Sequence, residues 1–213
     1  MLFLSFSGPA SSSRYDPCSL SAADRRRAGE SRAARAELDW RVSRVLAAEL
    51  RMRAGAAQDA EVALSHSRGH ALAGLAPVGW KLAVDLERCR MRDVSGLAEW
   101  VCDAAEGSLL ASEAGQARLR AFHLLWTLKE AMLKALDLPF PAGMRRVGLA
   151  VNGDGGMKLR APSGQWRAQA WELPDQWIAA AAWSASAEGA PRELSTCWID
   201  PVGAESLGCW ESA

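Results

Sequence analysis

The sequence predicts an α+β protein made of two similar halves that meet near Pro77 to Lys81. The first half reads as strand, helix and strands, and the second as strand, helices and strands. Helices that pack on one side of mostly antiparallel sheets give this fold class. The 213 residues are 49% hydrophobic and 23% charged, a composition typical of a globular chain that is long enough to bury a core.

The first half begins with "MLFLSF", which reads as a strand because it lacks a basic segment and is too short for a signal peptide. A helix is expected from about Leu20 to Gly55, with Ser21 as its N-cap, and its arginine-rich first part reads as a solvated surface. Two apolar runs follow, Ala71–Ala76 and Leu82–Leu86. The Pro-Val-Gly turn between them predicts that they pair as neighbouring strands.

The second half continues with "DVSGLAEWVCDAA", which predicts a short helix, and then with a long helix from Ser112 to about Leu136. From Arg145 onward apolar residues alternate with polar ones, which predicts a series of strands. "NGDGG" is a strong hairpin turn between the first two of these strands. The final dozen residues read as a loose tail.

The charge and cysteine totals exclude several classes of protein. The 25 basic and 25 acidic side chains cancel, so neither a nucleic acid nor a membrane is an expected partner. Five cysteines without a C-x-x-C pair favour reduced thiols over a disulfide framework or a zinc site. No run approaches the roughly 18 apolar residues of a membrane span. We therefore expect a soluble, cytoplasmic protein.

Carboxylates on a strand and a helix suggest a metal site. In "KLAVDLE", Asp85 and Glu87 point to the same face, about 7 Å apart, and two such groups bind one hard cation. A half-exposed strand with a polar outer face is the alternative interpretation. Glu130 on the long helix would complete a Mg²⁺ site, and Lys129 and Lys134 would then meet phosphate charge.

The pair of Glu130 and Lys134 and the segment "LSHSRGH" each have more than one interpretation. Glu130 and Lys134 stand one helical turn apart, and such an ion pair stabilises a helix by about 0.2–0.5 kcal/mol. "LSHSRGH" supplies hydroxyls and an imidazole that can bind a phosphate, or that can serve a Ser-His-Asp hydrolase. However, no G-x-S-x-G surrounds Ser65 or Ser67, and the sequence has no P-loop and no G-x-G-x-x-G.

"LSHS", "VDLE" and "WTLKEAMLKA", in this order and at this spacing, resemble the 4′-phosphopantetheinyl transferases of the surfactin-synthetase-activating type. That family's pattern is roughly a Ser-His-Ser segment, a G-[IV]-D-[IV]-E strand and a W-[ST]-x-K-E-[AS]-x-x-K helix. "LSAADRRRA" and "SRVLAAEL" resemble its N-terminal helices. The resemblance implies two pseudo-symmetric halves, each a small, mostly antiparallel sheet packed on a helix: residues 1–79 on the coenzyme A 3′-phosphate side, and residues 80–213 with the metal site.

The resemblance implies holo-acyl-carrier-protein synthase activity, in which the 4′-phosphopantetheine arm of coenzyme A passes to a serine of an acyl or peptidyl carrier protein and 3′,5′-ADP is released. Asp85, Glu87 and Glu130 would bind Mg²⁺ together with the pyrophosphate. Lys134 would contact a coenzyme A phosphate and offset its charge, and Glu130 or a metal-bound water would accept the serine proton. The side chains implied at the 3′-phosphate are Ser65, His66, Arg27 and Arg44.

The sequence departs from the family pattern at two places. Ala83 replaces the usual Gly two residues before the strand Asp. The Gly-Lys-Pro loop that many members carry before Ser-His-Ser is missing, and "RAGAAQDAEVA" spans the gap. The Lys of that loop commonly helps to hold the 3′-phosphate.

Two other functions remain open: a catalytically weak homologue that binds coenzyme A or a carrier, and an unrelated Mg²⁺-dependent phosphatase. The intact set of Asp85, Glu87, Glu130 and Lys134 favours the transferase. We expect a monomer, because two halves within one chain already supply both walls of the site. The sequence does not distinguish carriers of fatty acid, polyketide and nonribosomal peptide synthesis.

Overall fold

The computed structural model describes residues 1–153, 155–185, 194–200 and 202–212. The helices in this part of the chain are α1 (Ala22–Arg27), α2 (Ala34–Arg53), α3 (Val94–Val101), α4 (Ala104–Ala111) and α5 (Gly115–Ala135). The strands are β1 (Leu2–Ser7), β2 (Ala63–Ser67), β3 (His70–Leu75), β4 (Trp80–Arg88), β5 (Gly148–Val151), β6 (Met157–Arg160), β7 (Arg167–Leu173), β8 (Trp177–Ala185), β9 (Thr196–Trp198) and β10 (Glu205–Glu211).

The strands form two four-stranded sheets and one hairpin. The first sheet has the order β2-β3-β1-β9, and the second has the order β10-β7-β8-β4. All pairs are antiparallel except β1 with β9. The mixed α/β architecture with antiparallel sheets agrees with the predicted class. The boundary between residues 79 and 80 and the pseudo-symmetry of the halves stay predictions, and β9 returns from the C-terminal part of the chain to the first sheet.

Several predicted elements are confirmed by the structure. β1 forms at "LFLSFS", β5 and β6 pair as the predicted hairpin, and α5 occupies most of the predicted long helix. Asp154, in the turn of that hairpin, lies outside the described residues. Ser21 caps α1, since its hydroxyl oxygen accepts a hydrogen bond from the backbone N–H of Asp24.

The long first helix is interrupted between α1 and α2. The guanidinium of Arg32 donates to the backbone carbonyls of Arg27 (2.5 Å) and Glu30 (2.8 Å). These side-chain bonds satisfy carbonyl groups that a continuous helix would have bonded to its own N–H groups. The prediction of one helix from about Leu20 to Gly55 is therefore wrong in this segment.

The predicted pairing of the two apolar runs is also wrong. β3 pairs with β1 and β2 in the first sheet, whereas β4 pairs with β8 in the second. The turn at residues 77–79 redirects the chain from one sheet to the other, so both runs are buried strands with partners distant in sequence. The final residues are not a loose tail either, because β10 pairs with β7 and Trp210 packs on the core. Ala213 lies outside the described residues.

The helix α5 packs across β4, β7 and β8. Along β8, the fully buried Ala180 and Ala182 lie in the same core cluster as residues of α5, and their small side chains let the helix approach the sheet closely. The packed face of α5 includes Phe122 and Leu128, and burying such a side chain contributes about 1.5–3 kcal/mol. This contact holds α5 against the second sheet.

The helix α2 covers the first sheet, where Val42, Leu46 and Leu50 pack against β3. Within the described ranges, no helix is both long enough and apolar enough to cross a membrane.

Candidate active site

Three elements converge on the carboxylate of Asp85, which is 3% exposed. The ammonium of Lys134 on α5 lies 2.6 Å from Asp85 Oδ1. The hydroxyl of Ser65 on β2 donates to the same oxygen at 3.0 Å, and Lys134 Nζ lies 3.3 Å from Ser65 Oγ. The structure thus joins the sequence-predicted Asp85, Ser65 and Lys134 in one hydrogen-bonded group.

The second oxygen of Asp85 is unusual. Asp85 Oδ2 is buried and has no hydrogen-bond partner among the described residues. Leaving a buried acceptor unsatisfied costs about 1–3 kcal/mol, and more for a charged group. A ligand that binds this oxygen would remove that cost.

Glu130 and Glu87 share the electrostatic surroundings of Asp85. The pKa of Glu130 is raised to about 7, first by burial and then by the charge of Asp85; Lys134 opposes the rise and Glu87 adds to it. Burial and Asp85 likewise raise the pKa of Glu87, and Arg92, whose guanidinium lies 3.4 Å from Glu87 Oε2, opposes that rise. The charges of the three predicted acids, Asp85, Glu87 and Glu130, therefore act on one another, and these acids are called the carboxylate cluster below.

The donor chemistry of this cluster fits Mg²⁺, which prefers oxygen ligands and takes carboxylates together with waters and phosphates. A bound cation would give Asp85 Oδ2 a partner and would lower the raised pKa values of Glu87 and Glu130. Within the part of the chain that the structure describes, however, no three His, Cys, Asp or Glu side chains already stand as a metal-binding group. Lys134 neutralises Asp85 Oδ1 instead.

Lys129 is not at this site, and the prediction that it meets phosphate charge is wrong. Its side chain is 0% exposed and lies 2.6 Å from Glu106 Oε2. Five residues turn an α-helix by about 140° beyond a full turn, so Lys129 and Lys134 leave α5 in different directions. Because the helix has apolar residues on several sides, its sequence alone does not indicate which lysine is buried.

Ser65 and His66 lie on opposite faces of β2, because side chains alternate along a strand. Ser65 points to Asp85, whereas the side chain of His66 is 50% exposed, with Nδ1 3.8 Å from Asp39 Oδ2. Burial lowers the pKa of His66; Asp39 opposes the shift, and the nearby charges of Arg44 and Lys134 add to it. The structure separates these two predicted phosphate ligands, and their roles stay predictions.

Arginines surround the indole of Trp40, the residue that follows Asp39. The guanidinium carbons of Arg27, Arg32 and Arg44 lie 5.5, 4.0 and 4.2 Å from the ring centroid. Arg44 Nε lies 2.9 Å from Asp24 Oδ1, and burial lowers the pKa of Arg44. Arg27 and Arg44 are two of the predicted 3′-phosphate ligands, a role that stays a prediction, whereas Arg32 was not selected from the sequence. A tryptophan inside an arginine-rich segment is the signal that could have revealed it, because guanidinium groups stack on indole rings.

Two cavities flank Lys134. One has a volume of about 510 Å³ and is lined by the turn between β3 and β4, by the segment before β2 and by Lys134. The other has a volume of about 400 Å³ and is lined by Glu130, Lys134 and Phe140 among others. Lys134 thus reaches two open spaces, and Glu130 lines one of them.

A search of curated proteins gives no match to the chain. A family model does match. Residues 81–182, just under half of the chain, fit the model of the 4′-phosphopantetheinyl transferase superfamily. This range contains β4 and α5 with Asp85, Glu87, Glu130 and Lys134, but it excludes Ser65, His66 and the arginines near Trp40. The segment that carries the carboxylate cluster is therefore similar to the 4′-phosphopantetheinyl transferase superfamily, which supports a transferase of that type.

Proposed function

We propose that the protein transfers the 4′-phosphopantetheine arm of coenzyme A to a serine of an acyl or peptidyl carrier protein, with Mg²⁺ and with release of 3′,5′-ADP. The observation that carries this proposal is the convergence of Asp85, Glu130 and Lys134 beside open cavities, within the segment that matches the superfamily. Phosphoryl transfer needs carboxylates that hold a cation and a cationic side chain that contacts the phosphates.

Coenzyme A would bind through its phosphates. We assign its pyrophosphate to Lys134, whose side chain is 42% exposed and lines both cavities. We assign its 3′-phosphate to the side of His66, Arg44 and Arg27, to which Arg32 is added by its position over Trp40. Guanidinium groups form bidentate hydrogen bonds with phosphate, so this cluster would take the place of the missing Gly-Lys-Pro lysine. Ser65, which bonds Asp85, would act on the metal side rather than on the 3′-phosphate.

The residues that would hold Mg²⁺ are Asp85, Glu87 and Glu130. When bound, Mg²⁺ supplies electrostatic stabilisation for the negative charge of the pyrophosphate oxygens. Binding would also engage Asp85 Oδ2 and offset the burial and the charge of Asp85, which together raise the pKa of Glu87 and Glu130. The support for this assignment is the oxygen-only donor set.

In the reaction, the carrier serine Oγ forms a bond to the β-phosphorus, and the bond from that phosphorus to the oxygen bridging to the α-phosphate breaks. The electron pair of the broken bond leaves with 3′,5′-ADP, and Lys134 offsets its charge. The serine proton passes to the Glu130 carboxylate. The support for this role is the position of Glu130 at the wall of a cavity that Lys134 also lines.

Mass spectrometry of an apo carrier protein, incubated with the protein, coenzyme A and Mg²⁺, tests the proposal. A gain of about 340 Da on the carrier, the mass of one phosphopantetheine arm, is the expected result. Asp85→Asn should abolish the gain on the time scale of the wild-type reaction. Glu37→Gln, which alters an exposed ion pair on α2, is the matched control and should retain it. No gain with any of a fatty acid, polyketide or peptide carrier would contradict the proposal.

A second candidate is a homologue that binds coenzyme A or a carrier without efficient catalysis. The observation in its favour is the short contact between Lys134 and Asp85, because a cation at Asp85 must share that carboxylate with the ammonium. Calorimetric binding of coenzyme A without transfer would identify this function. Release of inorganic phosphate without carrier modification would instead indicate the phosphatase.

A further inference from the structure

A buried ion pair lies next in sequence to Glu130. Lys129 and Glu106 are both 0% exposed, with Nζ 2.6 Å from Oε2. The same ammonium donates to the backbone carbonyls of Val101 at 2.8 Å and Met144 at 2.9 Å. A lysine ammonium has three N–H donors, so these acceptors use all of them. Lys129 is thus tied at once to the end of α3, to α4 and to the turn before β5.

The carboxylate of Glu106 is equally well satisfied. Its Oε1 accepts the backbone N–H of Leu149 at 3.0 Å, and its Oε2 accepts the N–H of Asp103 at 3.1 Å and lies 3.2 Å from Arg160 Nη2. Gly148 adopts a φ of +134°, and a Cβ there would overlap Glu106 Oε1 and crowd Lys129 Cε. The backbone of β5 is therefore shaped around this pair.

Stability alone does not account for such an arrangement. Removing two charges from water is so costly that a buried ion pair often gives no more stability than apolar side chains of the same volume. The pair instead fixes the orientation of the two side chains, because ionic hydrogen bonds tolerate little change in distance or angle. The hydrogen bonds of Lys129 to its described neighbours hold its side chain in one direction relative to the α5 axis.

We infer that Lys129 is a positioning residue, whose bond to Glu106 fixes the rotation of α5 so that Glu130 and Lys134 face β4. A helix side chain reaches about 5–6 Å from the axis, so a rotation of about 20° would move its end by about 2 Å. That displacement is large compared with the 2.6 Å contact between Lys134 and Asp85. The consequence for transfer rests on the proposed function, whereas the effect on the contact does not.

The first experiment measures the contact itself and needs no enzymatic activity. Asp85→Asn, Lys134→Met and their double variant form a mutant cycle, and urea unfolding without metal gives the coupling between the two side chains. The cycle is measured in the wild-type background and in Lys129→Met/Glu106→Gln, which removes the buried charges together. We expect the coupling to fall to less than half in that background. A coupling that is fully retained would overturn the inference.

Glu106→Gln alone provides a second background in case the double substitution does not fold, because it keeps an oxygen for Leu149 or Asp103. The exposed ion pair of Arg41 and Glu37 on α2 provides the matched control. Arg41→Met/Glu37→Gln should leave the coupling between Asp85 and Lys134 unchanged. A comparable loss in this control would also overturn the inference, since it would reflect general destabilisation.

The second experiment measures carrier modification by the same variants. Lys129→Met/Glu106→Gln should lower kcat at least about tenfold with KM for coenzyme A within about twofold, because misdirected reacting groups affect the transition state more than ground-state binding. An unchanged kcat would overturn the inference. If the wild type modifies no carrier, the proposed function fails, and the coupling measurement still decides whether Lys129 positions α5.

Discussion

Ser65 donates a hydrogen bond to Asp85 across the two sheets, from β2 in the first sheet to β4 in the second, at 3.0 Å. The same Asp85 oxygen lies 2.6 Å from the ammonium of Lys134. A hydroxyl in this position orients the carboxylate and leaves the other Asp85 oxygen for a different partner. The contact therefore connects the N-terminal part of the chain to the candidate metal site.

Ser65→Ala is expected to act through Asp85. Without the hydroxyl, the carboxylate loses one of its two partners on Oδ1, so the Mg²⁺ concentration for half-maximal transfer should rise several-fold. The selectivity for coenzyme A over 3′-dephospho-coenzyme A should not change, because Ser65 does not point to the side of His66. Steady-state rates over a Mg²⁺ series with both substrates measure this. A loss of that selectivity would instead place Ser65 at the 3′-phosphate.

Asp85→Asn and Glu130→Gln are each expected to lower transfer at least about 10²-fold, because each removes a charge that would hold the cation at the reacting phosphate. Single-turnover rates measure the chemical step directly. Asp137→Asn is the matched control, since Asp137 also lines both cavities but lies outside the carboxylate cluster. Wild-type rates in excess EDTA would show that no metal is needed.

The stability of the metal-free protein should depend on Glu130 between about pH 4.5 and pH 7. The pKa of Glu130 is raised from 4.5 to about 7 by burial and by Asp85, so the folded state holds this proton more tightly than the unfolded chain. Its stabilising contribution is complete below about pH 4.5 and is lost as the pH rises through 7. Urea unfolding at pH 5 and pH 8 in EDTA should show a smaller fall in Glu130→Gln than in the wild type. Equal falls would contradict the raised pKa.

His66→Ala is expected to weaken coenzyme A use by about 1–3 kcal/mol in kcat/KM, the cost of losing one charge-assisted hydrogen bond. The effect should appear mainly in KM, because the 3′-phosphate lies far from the reacting phosphorus. With 3′-dephospho-coenzyme A the same substitution should matter much less, since the partner of His66 is then absent. Equal losses with both substrates would assign His66 to another role.

The protein is expected to be a functional monomer, because both sheets contribute side chains to the site within a single chain. Light scattering of the active protein gives the molar mass. A trimer in which activity depends on residues from two subunits would contradict this expectation.

Local patterns were sufficient for the two elements that carry the predicted site residues. The alternation in "KLAVDLE" predicted β4 and the shared face of Asp85 and Glu87, and the helix period predicted α5 with Glu130 and Lys134 one turn apart. The electrostatic coupling of these groups agrees with that arrangement, although their roles in binding stay predictions. The motif residues could be found because each lies on a regular element.

Long-range relationships could not be found in this way. The turn at residues 77–79 looks the same whether the flanking strands pair or enter different sheets, and only the partners β1, β2 and β8 decide. Lys129 was misplaced because its acceptors lie 15 to 28 residues away in sequence. Arg32 was missed because one continuous helix was predicted from about Leu20 to Gly55, whereas Arg32 contacts Trp40 from the break between α1 and α2.

The parallel pairing of β1 with β9 has a consequence for synthesis of the chain. Leu2 N–H donates to the carbonyl of Ser195, and Ile199 N–H donates to the carbonyl of Leu4, so the partner of β1 is made about 190 residues after it. During translation β1 and β3 can already pair, but the other side of β1 presents unpaired backbone groups until β9 emerges from the ribosome. An open strand edge of this kind invites pairing with another nascent chain. The protection of this edge of β1 thus depends on a strand that is made about 190 residues after it.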